Sequence, residues 1–431
     1  MNRLRSLSFL VAGALWATVA CGGELLTADG AVRIALQKNP QVVNAGASVL
    51  DARSGVYSSL SSITPHLSAG LWQSSYEKLP DSRTNSSLRE LSLSASWNAV
   101  SLSSLAGVSA ARQTSRATGL TQAATRNEVA YAVRRQFYTV VQAVHQARVN
   151  AEALRLARDN ERRVHALFEV GSVSKSDVLK SQVQTAQSQL DSLTAVNQIA
   201  VQRIALASTI GVPEEAMGEV DTTLTLTAAE FDETALVAEA SRNRPDLRAA
   251  EASLGAARAS QWSARLLRVP TLQATASKYF RGKGHLSFDT LGVSRSLDFG
   301  TEPETRATLA LNWNLFDGFS TEARNGQAKA QLVRQRETLD GLKRNLAGEV
   351  HLALLSYREA LEATDVANRA VDSATENLKL TQQKYNVGSA TILDLIDAQV
   401  QLQRAENQQV AARAGVRVAE AGIRRATGRN D

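Results

Sequence analysis

Two segments of this chain share one pattern: EVGSVSKSDVLKSQ at residues 169–182 and NVGSATILDLIDAQ at residues 386–399. Each contains Val-Gly-Ser and continues, five residues after the serine, with an aspartate and an aliphatic residue. Their glycines, Gly171 and Gly388, are 388 − 171 = 217 positions apart. Self-similarity at a long fixed offset indicates that one structural unit occurs twice.

Other matches extend this repeat toward the N-terminus. LTADGAVRIALQKNP at residues 26–40 resembles FDETALVAEASRNRP at residues 231–245, at an offset of 245 − 40 = 205. Trp97 matches Trp313 at an offset of 313 − 97 = 216. The difference, 216 − 205 = 11, places the additional residues of the second copy between Pro270 and Trp313, where we expect a loop. The chain therefore divides as follows: a signal peptide at 1–20, a first repeat at 21–215, a linker at 216–231 and a second repeat at 232–431.

Each repeat contains a segment in which apolar and polar residues alternate, which predicts an amphipathic strand. The first strand has Leu91, Leu93, Ala95, Trp97 and Ala99 on one face and Glu90, Ser92, Ser94, Ser96 and Asn98 on the other. The second has Ala307, Leu309, Leu311, Trp313 and Leu315 on one face and Arg306, Thr308, Ala310, Asn312 and Asn314 on the other. Weaker strands at 66–76 and 271–280 are expected to pair with them.

Long helices surround these strands in the sequence. One helix precedes each strand pair and ends near Pro65 or Pro270, and proline-free helices run from 104 to 168 and from 320 to 386. The latter two would be about 100 Å long at 1.5 Å per residue. A helix returning from Gly171 or Gly388 would complete an antiparallel hairpin in each repeat.

The hairpin helices also carry apolar residues at alternating spacings of three and four, a coiled-coil seam. The outgoing helix of the first repeat has Phe137, Val140, Val144, Ala147, Ala151 and Leu154. The first returning helix has Leu179, Val183, Ala186, Leu190, Leu193, Asn197, Ala200, Ile204 and Ala207. The second returning helix has Leu395, Ala398, Leu402, Ala405, Gln409, Ala412, Val416, Ala419 and Ile423.

The N-terminus reads as a secretory signal, with Arg3 and Arg5 before a short apolar run. Cys21 is the only cysteine and stands at the expected cleavage point, where a lipoprotein carries its acylated residue. Thr18-Val19-Ala20-Cys21 is an imperfect lipobox, because threonine replaces the usual bulky aliphatic residue. Both lipidation of Cys21 and ordinary cleavage beside an incidental cysteine are open.

Composition limits the function classes. The net charge of +6 is spread among acidic neighbours without a Lys/Arg block, so nucleic-acid binding is not indicated. The five histidines are scattered without metal-ligand spacing, and no phosphate-binding loop is present, so we expect no metal, no cofactor and no enzymatic activity. They are His66, His145, His165, His285 and His351. An exported coiled-coil scaffold or adhesin without a pore is the alternative function.

The amphipathic strands favour a membrane pore over that alternative. No stretch after the signal peptide is apolar enough for a membrane-spanning helix, so membrane insertion would use strands. Four strands leave open edges that hydrocarbon does not tolerate, and membrane barrels have about eight or more strands. The chain would therefore oligomerise. Three copies would contribute 3 × 4 = 12 strands and the same number of hairpin helices.

These residues resemble the TolC-like outer-membrane efflux proteins, on the ALQKNP-type openings, on WNLFDGF at 313–319 and above all on the two hairpin tips. The resemblance covers essentially the whole mature chain. It implies a mainly α protein with membrane β-structure: a homotrimer with a 12-stranded barrel and a 12-helix tunnel. It also implies a location in the bacterial outer membrane, extending into the periplasm, and docking to a periplasmic adaptor (membrane fusion) protein and an inner-membrane pump.

The resemblance assigns roles at the tips. Val170, Gly171, Ser172, Val387, Gly388 and Ser389 match turns that contact the adaptor, although the need for a tight reversal also explains both glycines. Asp394 and Asp397 match aspartates that line the pore constriction; the alternative is a solvated acidic first turn of a helix. Asp177 of the first tip has Lys180 in the second place.

The resemblance also implies a gate in which an aromatic residue precedes the second tip glycine and an arginine follows it. Tyr385 matches the aromatic residue, but Ala390 occupies the arginine position. The resemblance therefore does not imply for this chain the arginine interaction that holds the pore mouth tightly closed.

Overall fold

The computed structural model describes residues 25–77, 83–226, 229–281, 284–290, 293–299 and 303–429. The predicted signal peptide at 1–20 and Cys21 lie outside these residues. The first part of the chain consists of α1 (Ala28–Lys38), α2 (Pro40–Ser61), β1 (His66–Glu77), β2 (Arg83–Val100), α3 (Leu102–Glu169) and α4 (Lys175–Ile210). The second part consists of α5 (Glu233–Asn243), α6 (Pro245–Leu266), β3 (Thr271–Arg281), β4 (Gly284–Thr290), β5 (Val293–Phe299), β6 (Glu304–Asn312), α7 (Ser320–Asn386) and α8 (Ile392–Thr427).

Two helices precede each strand pair, and the second of them is the helix predicted to end near Pro65 or Pro270. α2 begins at Pro40 and α6 at Pro245, each at the first position of its helix. Proline lacks the N–H that would continue the preceding helix but suits a first helical turn. Asn39 caps α2 by accepting a hydrogen bond from the backbone N–H of Gln41. α2 and α6 end at Ser61 and Leu266, a few residues before Pro65 and Pro270.

The strands form one antiparallel sheet in which β1, β2, β3 and β6 lie side by side. The pairing confirms the expected alternation, because cross-strand partners share a face. The apolar face has Leu67, Leu71, Leu91, Leu93, Ala274, Ala276, Leu309 and Leu311. The serine-rich face has Ser68, Ser92, Ser94, Ser96, Thr275, Ser277 and Thr308. On the serine-rich face the hydroxyl oxygens of Ser68 and Ser94 are 2.7 Å apart.

The additional residues of the second repeat are strands, so the expectation of a loop was wrong. β4 pairs with β5 from Gly284 opposite Phe299 to Thr290 opposite Val293, and β4 also pairs with the Arg83–Ser87 part of β2. The physical reason is that β2 is longer than its pattern indicated. Its N-terminal part extends beyond β3 and leaves backbone groups that β4 pairs.

The long helices match their predicted extents closely. α3 contains 68 residues and α7 contains 67, so each is about 100 Å long. α3 packs against α4 and α8, and α8 packs against α7, which gives the lateral order α4, α3, α8, α7. α4 and α7 are therefore the two lateral borders of the helical layer in a single chain.

The predicted seams differ in burial because α8 lies between two helices in this order, whereas α4 lies at its border. The α8 seam is confirmed as a packed surface, since Leu395 and Ala398 are each 1% exposed and α8 has a neighbour on both sides. In α3, Phe137, Val140 and Ala147 are buried but Ala151 is exposed, because the contact stripe continues instead through Ala157 and Val164.

Most of the predicted α4 seam does not pack against its own hairpin, although Ala207 at its end is buried. Val183 is 70% exposed, Leu190 58% and Leu193 63%. The buried side of α4 has the smaller residues Ser181 and Ser188 instead. A heptad pattern shows that a helix has an apolar partner, but it does not show which neighbour the partner is.

Two apolar cores hold the short helices against the long ones. α1 packs with α3 and α4 around Val133, Val140 and Leu206, and α5 and α6 pack with α7 and α8 around Val350 and Tyr357. The segment between the repeats joins these cores. Met217 and Val220 lie in the first core, whereas Leu226 and Phe231 pack against the second. Among the described residues, none of the helices is both long and apolar enough to cross a membrane.

Candidate functional site at the paired hairpin tips

The two hairpin tips have the same backbone geometry, as their shared sequence predicts. Gly171 has φ 77° and Gly388 has φ 76°, a left-handed conformation that favours glycine. The N–H of Ser172 donates to the carbonyl of Leu167 over 2.8 Å, and the N–H of Ser389 donates to that of Lys384 over 2.9 Å. These bonds close the ends of α3 and α7. Both tip valines, Val170 and Val387, are exposed.

A reciprocal capping box follows each turn. Ser174 caps α4: its hydroxyl accepts from the N–H of Asp177 at 3.3 Å, and its own N–H donates to Asp177 Oδ2 at 3.2 Å. Thr391 caps α8 in the same way, with 3.3 Å from the Asp394 N–H to Thr391 Oγ1 and 2.8 Å from the Thr391 N–H to Asp394 Oδ2. The sequence analysis missed these boxes, although a Ser or Thr three residues before an acidic residue is the signal for them.

The capping bonds hold both aspartates in the ionised state. The hydroxyl of Ser174, and then its backbone N–H and Lys180, lower the pKa of Asp177. The backbone N–H and then the hydroxyl of Thr391 lower the pKa of Asp394. Helix capping is therefore enough to explain why an aspartate occupies position 394, and a role at a pore constriction would be a second function of the same residue.

Asp397 distinguishes the second tip from the first. It lies one turn after Asp394 and is exposed on the same side of α8, since residues three apart share a helix face. At the equivalent position of the first tip, Lys180 places its Nζ 3.6 Å from Asp177 Oδ1. The first tip is thus locally neutralised, whereas the second presents two neighbouring carboxylates.

A small apolar core joins the two hairpins just above their tips. Val164 and Val178 of the first hairpin pack with Ile392 and Leu395 of the second. Tyr385 packs against this core, and its hydroxyl is buried without a hydrogen-bond partner within the part of the chain that the structure describes. Burial raises the pKa of Tyr385, the charge of Asp177 raises it further, and Arg163 opposes both.

Arg163 also links the hairpins directly. Its Nη1 donates to Oδ1 of Asn386 over 3.2 Å. Ala390, at the position where the resemblance implies an arginine, offers no charged group to the tip. Arg163 therefore brings a guanidinium to the second tip from the first hairpin, a role that sequence reasoning did not find.

In the described ranges no three His, Cys, Asp or Glu side chains are grouped to hold a metal ion. His145 and His351 each have another partner: Nε2 of His145 lies 2.8 Å from the Thr222 carbonyl, and Nδ1 of His351 lies 3.0 Å from Glu233 Oε1.

Comparison with known proteins finds similarity to outer-membrane efflux proteins. Residues 236–429 match the family described as "Outer membrane efflux protein". The chain is 25% identical over 264 residues to outer membrane protein TolC of Escherichia coli (strain K12). The aligned region covers 61% of this chain and 53% of that protein. It is 28% identical over 264 residues to protein CyaE of Bordetella pertussis, with the same coverage of 61% and 53%. The chain thus spans about half the length of the relatives it matches.

The fold is also that of solved outer-membrane channels. The CmeC outer membrane channel of Campylobacter jejuni superposes with a TM-score of 0.81 at 15% identity, over 94% of this chain and 86% of that one. Sequence and fold together confirm the expected resemblance. The second part of the chain thus resembles the outer membrane efflux proteins in sequence, and the chain shares the fold of the solved outer-membrane channels.

Proposed function

We propose that this chain is a TolC-like outer membrane efflux protein and forms a homotrimeric outer-membrane channel that provides the exit duct for efflux or secretion. A periplasmic adaptor and an inner-membrane pump would be its partners. The observation that carries the proposal is the exposed seam of α4, with Val183, Leu190 and Leu193 each more than half exposed. Burying one leucine side chain stabilises an assembly by about 1.5–3 kcal/mol, so a seam of this length favours a further helix beside it.

The other border of the helical layer offers that partner. α7 exposes Val333, Leu352 and Val366, each by more than half. If α4 of one copy packs against α7 of the next, each copy uses both borders and the arrangement can close into a ring. Three copies would then form a tunnel of 3 × 4 = 12 hairpin helices.

Like the helical layer, the sheet has an open edge at each side. β1 pairs only with β2 and β6 only with β3 within the described residues, so one edge of each remains open. An open edge in hydrocarbon leaves backbone groups unsatisfied, and pairing β6 of one copy with β1 of the next removes it. The apolar face would then contact lipid and the serine-rich face would line the duct.

Two tryptophans support this placement of the sheet. Nε1 of Trp97 donates to the carbonyl of Ile63 over 2.9 Å, and Nε1 of Trp313 donates to that of Arg268 over 3.1 Å. Both rings therefore stand at the helical end of the sheet, with the indole N–H satisfied. Tryptophan is enriched at such membrane–water boundaries.

The hairpin tips would form the periplasmic mouth. The exposed Val-Gly-Ser turns at Val170 to Ser172 and at Val387 to Ser389 are proposed to contact the adaptor. Asp394 and Asp397 of three copies would place two rings of three carboxylates around the axis, which favours cations. Tyr385 would belong to the gate, and opening would separate the second hairpin from the first at Arg163.

Cys21 is proposed as an acylated N-terminus that anchors the channel to the outer membrane. Mass spectrometry of the mature protein should then find a diacylglyceryl group on Cys21. An unmodified Cys21, or a mature chain that begins after it, would remove the anchor and leave the channel unaffected.

Planar-bilayer recording of the purified protein tests the function itself. A channel should produce discrete conductance steps when the protein is added to a bilayer. The alternative, an exported scaffold or adhesin, has no pore and would leave the bilayer insulating. Absence of conductance from a protein that is folded by circular dichroism would contradict the proposal.

A further inference from the structure

The helix segments that adjoin the sheet carry an excess of basic residues. α2 and α6 end at the sheet, and α3 and α7 begin there. We refer to the parts of these helices within about 20 Å of the sheet as the basic collar, which consists of residues 51–64, 102–116, 255–268 and 320–333. The basic collar contains eight basic and two acidic residues, so its net charge of 8 − 2 = +6 equals that of the whole chain.

One side of α3 faces a polar groove, and the other side carries α1. Residues seven apart share a face of a long helix, and five such residues line cavities along the groove: Thr114, Thr121, Glu128, Arg135 and Gln142. Val133 and Val140 each lie two residues before a groove position, which is about 200° around the helix, and they pack with α1. In the proposed trimer, on which this inference rests, α1 would obstruct the duct if its side faced inward. The groove side therefore faces the duct, and the α1 side faces outward.

Four cations of the basic collar share the outward side. Arg112 of α3 lies 133 − 112 = 21 residues before Val133, which is three spacings of seven, so both face outward. Arg258 of α6 and Lys329 of α7 are each two residues from a position that lines the groove, so they also face away from it. Arg53 of α2 is the equivalent of Arg258 in the first repeat, at the offset of 258 − 53 = 205. All four are exposed, and none pairs with a carboxylate within the described residues.

The four cations also lie at one distance from the sheet. Each is eight to ten residues from the sheet end of its helix, which corresponds to about 12–15 Å. Three copies would therefore carry 3 × 4 = 12 outward cations in one belt around the channel.

Exposed aromatic and apolar side chains lie between this belt and the sheet. Tyr57 and Trp262 are 73% and 59% exposed, and each follows an arginine of the belt by four residues, on the same helix face. They too are equivalent in the two repeats, at the offset of 262 − 57 = 205. Leu105, seven residues nearer to the sheet than Arg112, is 51% exposed. With distance from the sheet, the outer surface thus changes from apolar through aromatic to cationic.

We propose that the basic collar binds the phosphate groups of anionic phospholipids at the membrane surface that the helices meet. The order of side chains matches the order of layers in a bilayer, because Trp and Tyr are enriched at headgroup level and basic residues are attracted to an anionic surface. Arginine suits this ligand, since its guanidinium can donate two hydrogen bonds to one phosphate. The bound lipids would fix the height of the channel in the membrane.

Native mass spectrometry of the detergent-solubilised, full-length assembly with added lipid tests this proposal. The two probes are phosphatidylglycerol, which is anionic, and phosphatidylcholine with the same acyl chains, which has no net charge. The parent should retain phosphatidylglycerol in preference to phosphatidylcholine. The combined variant Arg53→Gln, Arg112→Gln and Arg258→Gln should bind phosphatidylglycerol at least about fivefold more weakly, the effect of one basic residue near an anionic surface, with phosphatidylcholine binding unchanged.

A matched control removes the same charge far from the sheet. It combines substitutions at exposed positions of α3 and α7 that pair with no carboxylate in the described part of the chain: Arg148→Gln, Arg158→Gln and Arg358→Gln. This control should keep the lipid preference of the parent. Arg258→Gln alone is the second variant if the combined collar variant does not assemble, and it should weaken the binding of phosphatidylglycerol in the same direction.

The same spectra count the chains and so separate this proposal from the trimer itself. If the mass is that of three chains and the parent shows no preference for phosphatidylglycerol, or the collar variant and the control lose it equally, lipid binding by the collar is refuted and the trimer stands. If the mass is that of one chain, the proposed function fails and the belt of twelve cations fails with it.

Discussion

Arg163 of the first hairpin donates a hydrogen bond to Asn386 of the second, with 3.2 Å between Nη1 and Oδ1, across 223 residues of sequence. The bond lies beside Tyr385 and next to the apolar core that joins the tips. It connects the two parts that must move relative to each other if the mouth of the proposed channel opens.

Arg163→Ala should therefore favour the open mouth. Both side chains are exposed, so the bond contributes no more than about 1 kcal/mol, which corresponds to roughly a fivefold shift between closed and open states. Single-channel recording should show a larger mean conductance with little change in thermal stability. Arg162→Ala is the control, because Arg162 pairs with Asp159 of the same helix. Equal conductance in the two variants would show that Arg163 does not restrain the tips.

Replacing Asp394 and Asp397 together with alanine should reduce cation selectivity. Six carboxylates near one axis attract cations and repel anions, and their loss removes that field. The reversal potential in a KCl gradient should move toward zero. Asp177→Ala is the matched control, since Asp177 caps α4 as Asp394 caps α8 but has Lys180 in place of a second carboxylate. If both variants leave the reversal potential at the parent value, the aspartates are helix caps only.

Ser174→Ala should lower the free energy of unfolding by about 1 kcal/mol at pH 7, the usual effect of removing a helix cap. The hydroxyl of Ser174 is the main reason that the pKa of Asp177 is lowered. Because the pKa of Asp177 is lower in the folded protein than in the unfolded chain, its carboxylate stabilises the folded state at pH values above the unfolded pKa, about 3.9. This contribution to the free energy of unfolding is lost as the pH falls through the folded-state pKa.

Thermal unfolding in detergent, followed by circular dichroism, measures this effect. The gap between the parent and Ser174→Ala should be widest near pH 6 and should narrow below about pH 4. Ser176→Ala, an exposed serine in the same turn, should unfold like the parent at every pH. A gap that stays constant across this range would mean that the Asp177 carboxylate does not contribute through Ser174.

Charging the α4 seam should weaken assembly. Leu190→Lys with Leu193→Lys would place two ammonium groups in the proposed contact with the next copy, where desolvation of a charge is costly. Size-exclusion chromatography with light scattering should show dissociation into smaller species. Gln182→Lys with Gln189→Lys adds the same charge at exposed positions of α4 outside the seam and should leave the assembly intact. Dissociation of both variants alike would point to net charge and not to the seam.

Much of the fold could be predicted from the sequence because its periodicities are local. Alternation around Trp97 and Trp313 predicted the strand faces, and the absence of proline predicted α3 and α7 within a few residues. The partner of the α4 seam could not be predicted, because a heptad pattern is the same whichever neighbour it packs against. The β4–β5 hairpin was missed for a related reason: the pairing of β4 with β2 depends on strand length and not on the residues inserted.

The site shows the same division between local and distant signals. The tip glycines and the aspartates were found because they belong to a short repeated pattern. The contact of Arg163 with Asn386 has no local signal, since the two residues meet only after both hairpins have formed side by side.

The mass of the detergent-solubilised protein tests the central claim most directly, that the exposed seam of α4 and the open edges of β1 and β6 are closed by further copies of this chain. Native mass spectrometry of the purified, mature protein can count the chains in one complex without any substitution. The account predicts a species of three chains as the stable form. A species of one or two chains as the only form observed would contradict it.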